Sequence, residues 1–202
     1  MVTRAEKKQK TRQNLIAEAL TLSADKGFSS LSLREVSSGA GITPAAFYKH
    51  FDDMEELGLS LLDEVALGLR RLLRNARKNS KDFSGNITQT SIETFLNYIN
   101  ENPNHFRLLL GERQGASKSF RKALHNEIDR FVTELAEDLE RIAEINKVKL
   151  RNSSYSAEAI VAIVFSVGAE ALELPKHKQE GLANRLVSEV DIADAERFKI
   201  DK

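Results

Sequence analysis

The side chains best suited to chemistry crowd into one short stretch, ITPAAFYKHF, residues 42 to 51. A phenol, an ammonium and an imidazole follow one another at Tyr48, Lys49 and His50, in a chain that is only 6% aromatic. These groups suit a polyanion better than a reaction. Tyr48 offers a hydroxyl to a phosphate, Lys49 a charge and His50 a ring N–H, contacts that seat a protein on a nucleic-acid backbone more than they read its sequence. Pro44, Ala45 and Ala46 leave a small apolar tip, fit for close approach and for a thymine methyl. Arg34, upstream, is placed to reach a phosphate or a guanine edge. Little else in the sequence points to chemistry. His50, His105, His125 and His177 form no i, i+4 pair and have no acid at metal-ligand spacing. There is no G-x-S-x-G elbow, the run Gly111-Glu-Arg-Gln-Gly115 lacks the lysine of a phosphate loop, and cysteine is absent. No catalytic residue, no metal site and no cofactor are expected, and the chain does not read as an enzyme.

The elements that must position this stretch are short helices with clear start and stop signals. Ser32-Leu33-Arg34-Glu35 has the pattern of a capping box, opening a helix over Leu33 to Ser38 that ends near Gly39 to Gly41. Thr43 followed by Pro44 is a second start, an N-cap and then a residue whose missing N–H costs nothing in the first turn. This helix runs from Pro44 to His50. Phe47 and Phe51, four apart, face inward while Tyr48, Lys49 and His50 look outward. Packed on a first helix over Thr11 to Lys26, the pair has the spacing of a helix-turn-helix, whose second helix enters the major groove of double-stranded DNA. Arg4, Lys7, Lys8 and Lys10 before that first helix, with Arg12 at its start, make a basic arm.

Helical periodicity continues to the end. Asp53 opens a long helix to about Arg77, KNSKDFSGN is a polar break, Ile87 to Asn100 is helical and Pro103 starts a short helix closed near Gly111 to Gly115. Residues 118 to 146 form a long amphipathic helix. Ser156 to Leu174 is apolar almost all round, and a last helix follows Pro175. No strand alternation is present, so the fold is expected to be all-α. The boundaries drawn are a head over residues 1–52 and a body over residues 53–202. The 202 residues carry no net charge, but the first 50 hold eight Lys/Arg against four Asp/Glu, a basic head on an acidic body. No window has the composition of a membrane span or a secretory leader, and the absence of cysteine suits a cytoplasmic protein.

The run FSSLSLREVSSGAGITPAAFYKHFDDMEEL resembles the DNA-binding domain of TetR-family transcriptional repressors, with its capped short helix, its Gly-apolar-Thr-Pro turn and its Tyr-x-His-Phe end. The resemblance implies an N-terminal helix-turn-helix, a C-terminal helical lobe that binds an effector and dimerises, and contacts to operator DNA from Arg34, Thr43, Pro44, Ala45, Ala46, Tyr48, Lys49 and His50. Asp52-Asp53-Met54 stands where many members carry a Lys, which removes one implied phosphate contact. ENPNHFRLLLGERQGASKSFR and AIVFSVGAEALEL resemble the regulatory lobe of the FabR-type branch, which implies control of unsaturated fatty acid biosynthesis genes in response to long-chain acyl thioesters.

In the body, Phe95, Ile99, Phe106, Leu110, Leu124, Ile128 and Phe131 read first as core and second as the wall of a greasy cavity. Beside them, Arg113 and Arg121, with Arg107, Lys118 and Lys122, form a basic cluster fit for the phosphates of acyl-CoA or the acidic surface of an acyl carrier protein. The small residues Ser166, Gly168, Ala169 and Ala171 suit close helix packing across a homodimer interface, with Glu170 and Glu173 at its rim. Two other readings remain open: a repressor of other genes, such as efflux genes, sensing a different hydrophobic ligand, and a helical acyl-binding module that never meets DNA.

Overall fold

The structure is a computed structural model describing residues 3–79, 86–114, 117–145, 147 and 152–195. Among the described residues every regular element is a helix: α1 Arg4–Lys26, α2 Leu33–Gly39, α3 Pro44–Phe47, α4 Met54–Asn79, α5 Asn86–Glu101, α6 Pro103–Gly111, α7 Lys118–Ile145, α8 Ser153–Glu173 and α9 Gln179–Ala195, with short 3₁₀ turns between some of them. The all-α expectation holds. Most of the polar break KNSKDFSGN lies outside the described residues, as does Gly115.

Two compact units emerge from the contacts, and they do not follow the division at residue 52. One comprises Met1–Ala66 with Asn104–His125, the other Leu67–Pro103 with Asn126–Lys202. In the first, α1 buries Leu15, Ile16 and Ala19. It begins at Arg4 rather than Thr11. Thr3 Oγ1 accepts from the Glu6 amide at 3.1 Å, and Glu6 accepts from the Thr3 amide at 2.6 Å. This capping box supplies a start that apolar spacing could not reveal, because residues 3–10 are all exposed. The basic arm is thus helical. Gly27, at φ +76°, ends α1 where a side chain would be strained.

The next turn is held by an acid from far along the chain. Glu112, 3% exposed, accepts from the amides of Phe28 (3.0 Å) and Ser29 (3.4 Å) and from Ser29 Oγ (2.9 Å). Under it, Phe28 and Phe120 pack with ring centroids 5.5 Å apart. The backbone of α4 comes so close that a Cβ on Gly58 would fall 2.5 Å from Phe28 and 3.0 Å from Phe120.

In the second unit, the later part of α4 meets α7 through ion pairs. Arg70 binds Glu127 and lies 3.5 Å from Glu134, Arg74 reaches Glu134 at 3.2 Å, and Arg77 reaches Asp138 at 2.5 Å. Arg70, Glu127 and Asp138 are all buried. On the other side α5, α8 and α9 pack together. They are joined by Gln179, whose buried amide exchanges hydrogen bonds with Asn100 (2.6 and 3.0 Å) and donates to the carbonyls of Ala171 and Leu174, both at 3.1 Å. The expectation that no window matches a membrane span meets one exception. By length and composition α8 is apolar enough, with mean hydropathy 1.5 and 39% of that window buried.

Replacing Gly58 by Ala tests the close approach. Ala gains up to about 1 kcal/mol of helix propensity, but wedging a methyl against two rings costs about 1 to 3 kcal/mol. The expected result is a net loss of about 1 kcal/mol or more, read as a lower urea or thermal midpoint; an unchanged or raised midpoint would show that the rings move aside.

Candidate nucleic-acid interface and apolar cavity

Two caps fix the backbone of the head's outer surface. Ser32 and Glu35 form the predicted box, the Glu35 amide donating to Ser32 Oγ at 3.2 Å and the Ser32 amide to Glu35 at 2.9 Å. The Lys26 ammonium lies 2.5 Å from the same carboxylate, and these contacts lower its pKa to about 2. Gly41, at φ +71°, turns the chain, and Thr43 Oγ1 accepts from the Ala46 amide at 3.2 Å. Pro44 occupies the first turn, as its spacing indicated. The α-helix itself is shorter than predicted, ending at Phe47. Beyond it, the amides of Lys49 and His50 donate three residues back to Ala46 (3.2 Å) and Phe47 (2.8 Å), a tighter winding that carries the chain through His50. Phe47 and Phe51 are buried.

The eight residues singled out in the sequence take distinct places on this frame. Arg34, Thr43, Pro44, Ala45, Tyr48 and Lys49 are exposed, while Ala46 and His50 are partly buried. Tyr48 stands out at 60% exposure. The His50 ring lies against the body of the unit with Nδ1 buried and without a hydrogen-bond partner. Its pKa is pushed below the usual 6.5, first by burial and then by the charges of Lys8, Arg12 and Lys49. That influence shows what sequence reasoning missed: the first turns of α1 set Lys8 and Arg12 beside the end of the recognition segment. Arg12 is no part of a loose arm, since its guanidinium lies 4.5 Å from the Phe51 ring centroid and donates to Ser60 Oγ at 2.9 Å. Asp52 and Asp53 cap α4 instead of meeting a phosphate: Asp53 Oδ1 accepts from the Glu56 amide at 2.8 Å and the Asp52 amide donates to Glu56 at 2.6 Å.

The second unit contains an apolar cavity of about 110 Å³, walled by α4, α5, α7, α8 and Val190 of α9. Of the nine ligand-binding residues expected from the sequence, Phe95 and Phe131 line it. Ile99 and Ile128 belong to the same unit but do not. Phe106, Leu110, Arg113, Arg121 and Leu124 fall in the other unit, where Phe106 and Leu124 are core and Arg113 and Arg121 are exposed. The wall is instead built from the later turns of α4 and α7, with Leu69, Leu73, Leu135 and Leu139. Their heptad-like spacing is visible in the sequence, but not that these turns flank a void. Among the described residues, no three His, Cys, Asp or Glu side chains converge as metal ligands.

Comparison with known proteins agrees with this architecture. Residues 15–61 match the family model for bacterial regulatory proteins of the tetR family, and residues 84–192 match that for the C-terminal domain of tetracyclin repressor-like proteins. Among solved structures, a chain from Syntrophomonas wolfei described as a TetR-family transcriptional regulator superposes with a TM-score of 0.77 at 18% identity, over 92% of this chain and 96% of that one. A transcriptional regulator from Pseudomonas aeruginosa gives 0.78 at 17% identity, over 95% of each chain. The fatty acid degradation regulator FadR from Bacillus halodurans gives 0.72 at 12% identity, over 90% of this chain and 93% of that one. With one family model covering the capped helix-turn-helix and another more than half of the chain, this protein belongs to the TetR family of transcriptional regulators.

Proposed function

We propose that the protein is a homodimeric repressor that binds a palindromic operator through residues 1–52 and responds to a hydrophobic effector through residues 53–202. The observation that carries this reading is the exposed Tyr48 and Lys49 beside His50, at the end of a segment capped by Thr43 and flanked by Lys8 and Arg12. Arg34, Thr43, Pro44, Ala45, Ala46, Tyr48, Lys49 and His50 are assigned as the DNA-contact set, the last three to phosphates and the small tip to base edges. In a dimer, two such heads meet half-sites about 34 Å apart or a multiple of it. Of the small α8 residues expected at the interface, Gly168 and Ala171 are buried in their own chain and Ala169 is half-buried, so the exposed Ser166, with Ala159 and Ala162, is the assigned interface. Glu170, expected at the rim, is held within its own chain by Arg185 of α9, with contacts of 2.5 and 3.3 Å.

For the regulated genes, the reading is fatty acid biosynthesis with acyl thioesters as effectors. It draws on the greasy cavity and on the fold shared with a regulator of fatty acid degradation. The cavity size favours a second reading. At about 110 Å³ it compares with the roughly 150 Å³ that accepts benzene, so a compact hydrophobe fits where a long chain needs the walls to part. Because α4 supplies both core to the head's unit and wall to the cavity, a ligand that moves α4 changes operator affinity, by a coupling of typically about 1 to 3 kcal/mol.

Three outcomes test the reading. Lys49→Ala and Lys8→Ala are each expected to weaken binding about equally on all DNA sequences and to lower the salt slope by about 1; an unchanged slope removes that residue from the phosphate contacts. His50 has its pKa depressed in the free protein, so DNA phosphates favour its charged form and binding takes up a proton. Operator affinity should therefore rise as the pH falls below about 6.5, a trend absent in His50→Gln. The free fold moves the other way, because the unfolded chain holds that proton more tightly, and stability is lost as pH falls through the same window. Finally, fluorescence anisotropy on promoters of unsaturated fatty acid genes, with and without saturated and unsaturated acyl-CoA, is expected to show specific binding that responds differently to the two. Specific binding with no acyl response keeps the repressor and discards the lipid effector; no DNA binding at all favours the acyl-binding module.

A further inference from the structure

The cavity of the second unit carries its own statement about ligand charge. Its wall is mostly aliphatic and aromatic, but Arg70, Arg77, Thr88, Ser91 and Glu134 also line it. Two arginines beside a greasy pocket look like a receptor for a carboxylate. Their partners argue otherwise. Arg70 is bound to Glu127 and neighbours Glu134 at 3.5 Å, and Arg77 is bound to Asp138 at 2.5 Å. Glu134 also holds Arg74, while Glu127 and Asp138 hold Arg130 and Arg141. Each lining arginine is therefore already paired in charge with a protein carboxylate, although Arg70 Nε, 3.5 Å from Glu134, is buried without a hydrogen bond. A ligand anion that takes the charge of Arg70 from Glu127 or of Arg77 from Asp138, both acids at most 5% exposed, strands a buried carboxylate, and one set beside Arg70 Nε meets the Glu134 carboxylate 3.5 Å away.

Ser91 is in the opposite condition. Its Oγ is buried and has no hydrogen-bond partner. A buried hydroxyl in that state carries a desolvation cost that a ligand group bonded to it removes. From this juxtaposition of charges already paired within the protein and an unpartnered neutral hydroxyl, we propose that the cavity binds a small uncharged amphiphile. It has an apolar body and one neutral hydrogen-bonding group, a carbonyl or a hydroxyl, set against Ser91, and the cavity discriminates against carboxylates. At about 110 Å³, against the roughly 150 Å³ that accepts the six carbons of benzene, the void holds about four to six heavy atoms. The proposal rests on the reading of this cavity as the effector site, and adds which end of the effector the protein recognises.

The test is calorimetric titration of the whole 202-residue chain with butan-2-one, butan-1-ol and sodium butanoate at pH 7.5, repeated on Ser91→Ala and on Val164→Phe. The ketone and the alcohol are expected to bind, with butanoate at least about tenfold weaker. Ser91→Ala deletes a hydroxyl that has no partner, so the free protein should melt no lower than the parent while its ketone affinity falls about five- to tenfold. Val164→Phe fills the cavity and should abolish binding. Butanoate binding as tightly as the ketone, an unchanged ketone affinity in Ser91→Ala, or binding that survives Val164→Phe would each overturn the proposal. The first two would leave the effector cavity standing. If none of the three compounds binds the parent, the proposal and the effector-site reading fall together, and operator binding on the same samples shows separately whether the DNA-binding reading survives.

Discussion

A guanidinium cannot be left alone in an apolar interior, and much of the second unit follows from how Arg70 avoids that. On α4 the basic residues recur at 70, 74 and 77, and on α7 the acids recur at 127, 134 and 138. Both sets repeat at helical spacing, so each lies along one face and the two faces meet. The buried members leave little freedom of register, because sliding α7 by one turn would strand Glu127, Asp138 or Arg70 without a counterion. Hydrophobic side chains of the same volume would serve stability at least as well. What the ions add is a fixed alignment, and with it the identity of the apolar residues beside them. Leu69 and Leu73 on one helix, with Leu135 and Leu139 on the other, become cavity wall because the charges between them are in step.

The head is built by a different economy of contacts. Its outward residues sit on a frame of caps and rings laid over the aliphatic residues Leu15, Ile16, Ala19 and Val36. Thr3, Ser32, Thr43 and Asp53 each accept a backbone N–H at a helix start, Phe47 and Phe51 anchor the recognition segment, and Arg12 covers Phe51. Glu112 belongs to this frame although it lies far along the sequence, for its carboxylate satisfies three donors in the turn after α1. Short helices have too few internal hydrogen bonds to persist alone, so their geometry is only as firm as these side-chain contacts.

Much of this was legible in the sequence wherever the signal was local. The Ser32–Glu35 box, the Thr43–Pro44 start and the inward phenylalanines can be read from types and spacing, and the long amphipathic helices from periodicity. The Thr3–Glu6 box is equally local, but it precedes a stretch with no buried residue, so a search led by apolar spacing starts α1 two turns late. The position of the cavity was not legible. Phe120 to Ile142 keeps one unbroken helical stripe although its surroundings change along the way: Phe120 and Leu124 belong to one contact unit, Phe131 and Leu139 to the other. Periodicity says that a face is buried and says nothing of what buries it. Ligand residues chosen along the first half of that stripe therefore landed in the other unit.

Two parts of the cavity's lining are unlike, and this bears on how such a protein changes over generations. One part carries the charge ladder, where almost any substitution unbalances a buried ion and disturbs the alignment of two helices. The other, from Ile160, Val161, Val164 and Phe165 of α8 with Val190 of α9, is purely apolar, and its side chains differ in little but shape. Exchanges among such residues recut a pocket without disturbing its frame. A lineage carrying this fold is thus free to drift in what it senses through the apolar part, while the other keeps the helix alignment under tight selection. New ligands then arise by single steps on a scaffold that remains in register.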